Sequence, residues 1–275
     1  MSEPRLLHPG DLPELLALSA AVCWNQTEDD WRRVMTLEPA GCFGIERDGR
    51  VVATATAVRY GRTISWIGMV LTRPDRRREG HARTLMVHSL EYLRMAQVDW
   101  AWLDATDMGR PLYEALGFQT ICAIERWSRP PGAVFPPAPL PAAAGGDFAA
   151  LDREAFGADR SALIEALLAY ESAGIAARGC ASFRPGARAV YFGPCVSRDP
   201  ETAGKLLRHC LSRYGDKDVF MDLLPANAAA LELARQHGFT PVRRLARMSL
   251  RLRTGAGALL RDDSLAYAVA GFEYG

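Results

Sequence analysis

The chain has 275 residues, a formal net charge of +1, 49% apolar and 24% charged residues. That length allows two domains of ordinary size. The near-neutral balance points away from nucleic acid and membrane surfaces as general partners. No basic-then-apolar leader opens the sequence and no apolar run is long enough for a bilayer, so a cytoplasmic protein is expected. Six scattered cysteines form no C-x-x-C pair and five histidines lack ligand spacing, so free thiols and no metal are expected.

In chain order, Arg5 to Leu7 reads as a short strand and Asp11 to Cys23 as a helix with apolar residues at helical spacing. Thr27 followed by Glu28, Asp29 and Asp30 reads as an N-cap with an acidic first turn, opening a helix to about Leu37. Strands follow at Cys42 to Glu46 and Val51 to Tyr60, around the hairpin signal Asp48-Gly49. Thr63 to Thr72 is the next strand. It turns through Arg73-Pro74-Asp75 into a basic loop that runs directly into a helix from about Gly80 to Ala96. A loop of this kind exposes unpaired backbone N–H groups to one point, and the helix dipole adds to them. Gly80 and Ala82 are small enough to admit a phosphate, and Arg77, Arg78 and Arg83 add positive charge. The expected ligand is a phosphate or pyrophosphate held mainly by main-chain donors. Val98 to Asp104 is a strand, Pro111 to Leu116 a helix and Phe118 to Trp127 a strand. Gly117 reads as a left-handed helix C-terminus, with Tyr113 one turn before it.

The segment Arg77-Arg78-Glu79-Gly80-His81-Ala82 resembles the acetyl-CoA loop of the GNAT N-acetyltransferase family, Arg/Gln-x-x-Gly-x-Gly/Ala. Leu112-Tyr113-Glu114-Ala115-Leu116-Gly117-Phe118 resembles that family's second signature, at the expected distance. The element order β-α-α-β-β-β-α-β-α-β matches the GNAT fold. The resemblance implies an α/β (α+β mixed sheet) class: a central mixed, mostly antiparallel sheet flanked by helices.

It also implies acetyl-CoA as cosubstrate, in a cleft where Thr63–Thr72 splays from Val98–Asp104. Backbone groups of Val70, Leu71 and Thr72 would hold the pantetheine arm. N–H groups of Arg77, Arg78, Glu79, Gly80, His81, Ala82 and Arg83 would hold the pyrophosphate, with His81 contributing only its backbone. A strand amide near Val70 can polarise the thioester carbonyl. Tyr113 would be the general acid that protonates the departing thiolate, a task suited to a neutral hydroxyl.

The strand carboxylate of many family members is absent from Ile64-Ser65-Trp66-Ile67-Gly68. Asp104 and Asp107 are candidates for the general base, through water; a turn or cap role is the alternative for each. Trp24, Asn25 and Gln26 lie between the first two helices, which line the acceptor site in this fold. Tyr60 and Trp66 are further acceptor candidates, and packing of the helix connection is the alternative. The implied function is acetyl-CoA-dependent transfer to a primary amine of a small molecule or protein, by a monomer or homodimer. A non-catalytic acyl-CoA-binding sensor or scaffold is the alternative, and transfer of another acyl group stays open.

Pro130 to Gly146 is uncharged and rich in Pro, Ala and Gly, and reads as a semi-rigid interdomain linker. It separates residues 1–129, the expected catalytic unit, from residues 147–275. Gly193 to Arg198 resembles Gly68 to Arg73, and Leu233 to Phe239 resembles Leu112 to Phe118. Asn227 stands where the family often carries an Asn. The second half is thus similar to a degenerate GNAT unit, and the chain resembles bacterial tandem-GNAT proteins with an active first unit. Ala234 replaces the tyrosine, and the phosphate loop is missing. Asp199-Pro200-Glu201-Thr202 enters the helix directly, with Asp199 or Thr202 as cap. The carboxylates of Asp199 and Glu201 would repel a pyrophosphate. This unit is expected to be structural, or to wall the acceptor pocket, without binding acetyl-CoA productively.

Overall fold

Local signals set the first helices. In α1 (Leu12–Ala21) the turn before the helix is held by Asp11, whose carboxylate accepts from Arg5 Nη1 and Nη2 at 2.9 and 2.8 Å and from the His8 amide at 2.9 Å. In α2 (Glu28–Leu37) the Thr27 hydroxyl accepts from the Asp30 amide, and the Asp30 carboxylate accepts from the Thr27 amide. This reciprocal capping satisfies donors that a helix start leaves open. The Trp31 indole N–H donates to Ser19 Oγ at 3.0 Å, tying α2 to α1. The computed structural model describes residues 3–132 and 135–275. Ala133 and Val134 of the expected linker lie outside the described residues.

The chain forms two compact units. The first gathers Met1–Gln119, Met248–Gly257 and Tyr274; the second gathers Thr120–Arg247, Ala258–Glu273 and Gly275. The division in space is therefore not a single cut in the sequence. Of the expected linker, Gly145 and Gly146 already lie in the helix α5 (Gly145–Phe156).

In the first unit, β1 (Arg5–Leu6), β2 (Cys42–Arg47), β3 (Arg50–Tyr60) and β4 (Ile64–Thr72) pair antiparallel in that order. Then β5 (Trp100–Ala105) joins β4 in parallel, the crossover being α3 (His81–Met95). The short α4 (Arg110–Ala115) follows β5. Leu85 of α3 packs among Phe43, Ile45, Val52, Ala53 and Ala55, so the helix lies on this sheet through an apolar stripe. The order and nature of these elements match the sequence reading. Parallel neighbours point their C-terminal ends the same way, so the loop after β4 and the turn after β5 emerge at one end of the sheet.

The second unit repeats the plan. β7 (Glu171–Ile175), β8 (Gly179–Arg184) and β9 (Val190–Ser197) pair antiparallel. β10 (Val219–Leu223) is parallel to β9, and β6 (Gln119–Arg129) is antiparallel to β10. The crossover helix is α7 (Pro200–Tyr214), and α8 (Ala228–Gln236) follows β10. The remaining elements are α6 (Ser161–Leu168), β11 (Thr240–Arg251) and β12 (Ala266–Ala268). Leu206, Leu207, Cys210 and Leu211 of α7 pack on Phe183, Phe192 and Met221 of the sheet. All six cysteines are free thiols, four of them buried. Among the described residues no helix is long and apolar enough to cross a membrane.

Candidate active site

The first unit has an opening in its sheet where two strands part. β4 and β5 pair only at Ile64–Trp100, Ser65–Ala101 and Trp66–Trp102. Beyond Trp66 the edge of β4 facing β5 has no ladder partner among the described residues, while its other edge stays paired with β3 as far as Thr72. Within this stretch Met69 and Val70 together oppose the single residue Ala55, a β-bulge. Met69 takes a φ of 47°, unusual for a side chain of its bulk. Its carbonyl accepts from Thr54 Oγ1 at 2.7 Å, which fixes the distorted turn from the β3 side.

The loop that follows leaves amides and cations open. Eight residues, 73 to 80, separate β4 from α3. Gly80 is the N-cap, with φ 83° and no side chain to cap the helix. None of the amides from Arg77 to Arg83 donates to an acceptor among the described residues. Nothing lies within 4 Å of where a Gly80 Cβ would stand, so the approach is open. Arg73 and Arg76 are already paired, with Asp75 and Asp48. Arg77, Arg78 and Arg83 are exposed and have no ion-pair partner among the described residues. His81 is buried, its ring beside Glu79 Oε2 at 3.1 Å.

Tyr113 lies on α4, at the end of the sheet shared with that loop. Its ring packs edge-on against Phe118 at 6.1 Å. A Cβ on Gly109 would stand 3.0 Å from the Tyr113 ring, so the glycine makes room for it. The residue is 7% exposed, and its hydroxyl makes no hydrogen bond among the described residues. Burial holds its pKa well above the usual phenol value, so it is a neutral donor.

The base and acceptor candidates separate. Asp104 is half-buried on β5, beyond the last residue paired to β4. Asp107 is exposed in the turn before α4, and that turn is held by the Gly109 amide donating to Thr106 Oγ1 at 3.1 Å. Asn25 and Gln26 are buried, which leaves Trp24 as the half-open side chain of the α1–α2 connection. Tyr60 and Trp66 are not brought to the open edge. Tyr60 pairs with Ile64 at the start of β4, about 26 Å along the strand from Thr72, and donates its hydroxyl to the Tyr274 carbonyl. Trp66 has no exposed surface and packs on Trp102 at 6.5 Å. Sequence reasoning did not find Thr54, whose role depends on the bulge, nor the Thr72 hydroxyl, buried without a partner among the described residues.

A depression of about 970 Å³ lies elsewhere, lined by Glu38, Arg59, Arg62, Met95 and Gln97. It opens at the C-terminal end of α3, about 22 Å of helix from the loop. There Arg59 and Tyr92 already satisfy Glu38, at 2.7 Å each, so its polar groups are engaged in structure. Among the described residues no three His, Cys, Asp or Glu side chains are grouped to hold a metal.

Family models described as acetyltransferase (GNAT) domain match residues 3–121 and again residues 148–258. No curated protein matches. Among solved structures, a Pyrococcus horikoshii protein assigned as an acetyltransferase superposes with a TM-score of 0.83 at 20% identity, covering 99% of this chain and 95% of its own. A tandem GNAT protein from the clavulanic acid biosynthesis pathway gives 0.65 at 15% identity, covering 93% and 100%. A GCN5-related N-acetyltransferase from Sphaerobacter thermophilus gives 0.64 at 18%, covering 92% and 96%. At such identities the likeness is one of fold.

Proposed function

This chain belongs to the GNAT acetyltransferase family, with two such domains in tandem, and from that premise we propose that its first unit moves an acetyl group from acetyl-CoA to a primary amine. One observation carries the reading: the open β4 edge, the uncapped α3 start and the start of α4, the helix that carries Tyr113, all lie where β4 and β5 end. The groups suit an acyl-CoA. An extended amide arm can add to a free strand edge as a strand would. A pyrophosphate suits a helix start with free amides and three unpaired arginines. The buried Thr72 hydroxyl is a further group that a ligand would satisfy.

Bound acetyl-CoA supplies an activated thioester and a thiolate leaving group. In the proposed mechanism the backbone of Val70, Leu71 and Thr72 aligns the pantetheine arm. The amides from Arg77 to Arg83 anchor the pyrophosphate. The bulge leaves one residue of β4 without a ladder partner, and an amide there, near Val70, polarises the thioester carbonyl. Asp104, through water, takes the proton that the attacking amine gives up. Tyr113 gives its proton to the sulfur and regains one from solvent. Most of the rate gain comes from holding two reactants in place. Trp24 is proposed as an apolar contact for the acceptor.

Thiol release from acetyl-CoA across a panel of small amines and peptide N-termini tests this reading. Turnover that depends on one amine class supports it. Tight acetyl-CoA binding without turnover on any amine would make the first unit a binding module instead.

A further inference from the structure

The second unit carries the same parting of strands, and something already fills it. β9 and β10 pair only at Val190–Val219 and Tyr191–Phe220, just as β4 and β5 pair only near their starts. β8 holds the opposite edge of β9 from Tyr191 to Ser197. The edge facing β10 is therefore the one left open beyond Tyr191. In the first unit the equivalent stretch, toward Val70 and Leu71, has no strand partner on that edge among the described residues. In the second, β12 pairs antiparallel with it, at Ala266–Val196 and Ala268–Cys195.

The inserted strand is fastened on every side. The Val269 amide donates to the Asp222 carbonyl of β10 at 3.0 Å, so the segment touches both parted strands. The Tyr191 hydroxyl donates to the Val269 carbonyl at 3.0 Å. Asn227, at the N-cap of α8, donates from Nδ2 to the carbonyls of Ser264 and Ala266, both at 3.0 Å. Tyr267, Ala268, Val269 and Ala270 are each no more than 6% exposed. The helix end is closed as well. Only residues 198 and 199 separate β9 from α7. The Asp199 carboxylate accepts from the Thr202 amide at 2.8 Å and from Arg178 at 2.7 Å, standing where an anion would sit.

We infer that residues 266–270 act as a built-in occupant of the second unit's cofactor cleft, a protein strand in the place of a pantetheine arm. Each chain then has one acyl-CoA site, and the second cleft is closed to acyl-CoA by structure as well as by the loss of the tyrosine. The comparison with the first unit rests on its proposed function; the occupancy of the second cleft does not.

Hydrogen exchange on the native chain, free and with acetyl-CoA, tests this together with a binding titration. In the free protein the hydrogen-bonded amides of residues 266–269 should exchange as slowly as those of β9 and β10. Saturating acetyl-CoA should bind once per chain, protecting Val70 to Arg83 and leaving Cys195 to Thr202 unchanged. Fast exchange of residues 266–269 in the free protein, two equivalents bound, or new protection at Cys195 to Thr202 would each overturn the inference. No binding at all, with residues 266–269 slow, would sink the proposed function and leave the strand's occupancy supported.

Discussion

At the scale of single residues, the proposed chemistry turns on Tyr113 and its neighbours. Burial raises the Tyr113 pKa, so the form that can donate persists to high pH. Activity should rise with pH as the acceptor amine loses its proton, and no falling limb should occur below about pH 10. A falling limb near neutrality in a pH–rate profile would assign the proton to another group. Gly109 gives a second handle. Its substitution by Ala puts a methyl 3.0 Å from the Tyr113 ring and must shift that ring by a few tenths of an ångström. Gly109→Ala should lower kcat by roughly three- to ten-fold, with acetyl-CoA affinity kept, since misplacing a reacting group by 1 Å costs about a hundred-fold. Unchanged kcat would mean that the position of Tyr113 does not matter. The left-handed Gly117 was legible because it has a fixed place in a short local pattern at a helix end. Tyr60 and Trp66 stayed open between acceptor contact and packing because an aromatic in a strand has the same sequence signature whether it lines a cleft or fills a core.

At the scale of elements, caps were readable and strand irregularities were not. Thr27 and Asp199 each cap the helix that their sequence announces. Asp199→Ala should cost about 1 kcal/mol of stability at neutral pH. The Thr202 amide, foremost, holds the Asp199 carboxyl below its ordinary value. A depressed carboxyl stabilises above its unfolded value and loses that contribution as pH falls through the folded one. The difference in Tm between wild type and variant should therefore be full at pH 7 and narrow below about pH 4. A gap independent of pH would show that the carboxylate is not the cap. The bulge at Met69 and Val70 left no trace in the sequence. Ile67 to Leu71 is apolar or glycine throughout, so one extra residue breaks no alternation. β12 was invisible for a related reason: three residues are too few to show a period.

At the scale of the whole molecule, the repeat was legible and the make-up of the compact units was not. Two halves with the same strand pattern offer interchangeable edges, so pattern alone does not say that Met248–Gly257 belongs with the first unit and Thr120 onward with the second. The second unit is pinned by a buried pair: Arg126 donates twice to Asp222, at 2.8 and 2.7 Å, and the Tyr191 hydroxyl oxygen lies 3.0 Å from the same carboxylate. Asp222→Asn removes the charge that balances a buried guanidinium and should cost about 3–5 kcal/mol, read as a lower denaturation midpoint. A loss under 1 kcal/mol would show that the pair is dispensable. Burial also pushes the Cys180 thiol up to about 11 and the Tyr267 hydroxyl up to about 12. Groups raised in this way favour the fold while neutral, so Tm should hold to about pH 9 and fall as pH climbs beyond. In the proposed function the first unit catalyses acetyl transfer with Tyr113 as its acid. The most direct measurement is kcat for thiol release by wild type and Tyr113→Phe, beside the Kd of each for acetyl-CoA. In Tyr113→Phe, kcat should fall by about 10²–10⁴-fold with Kd nearly unchanged. Equal kcat in the two proteins would contradict it.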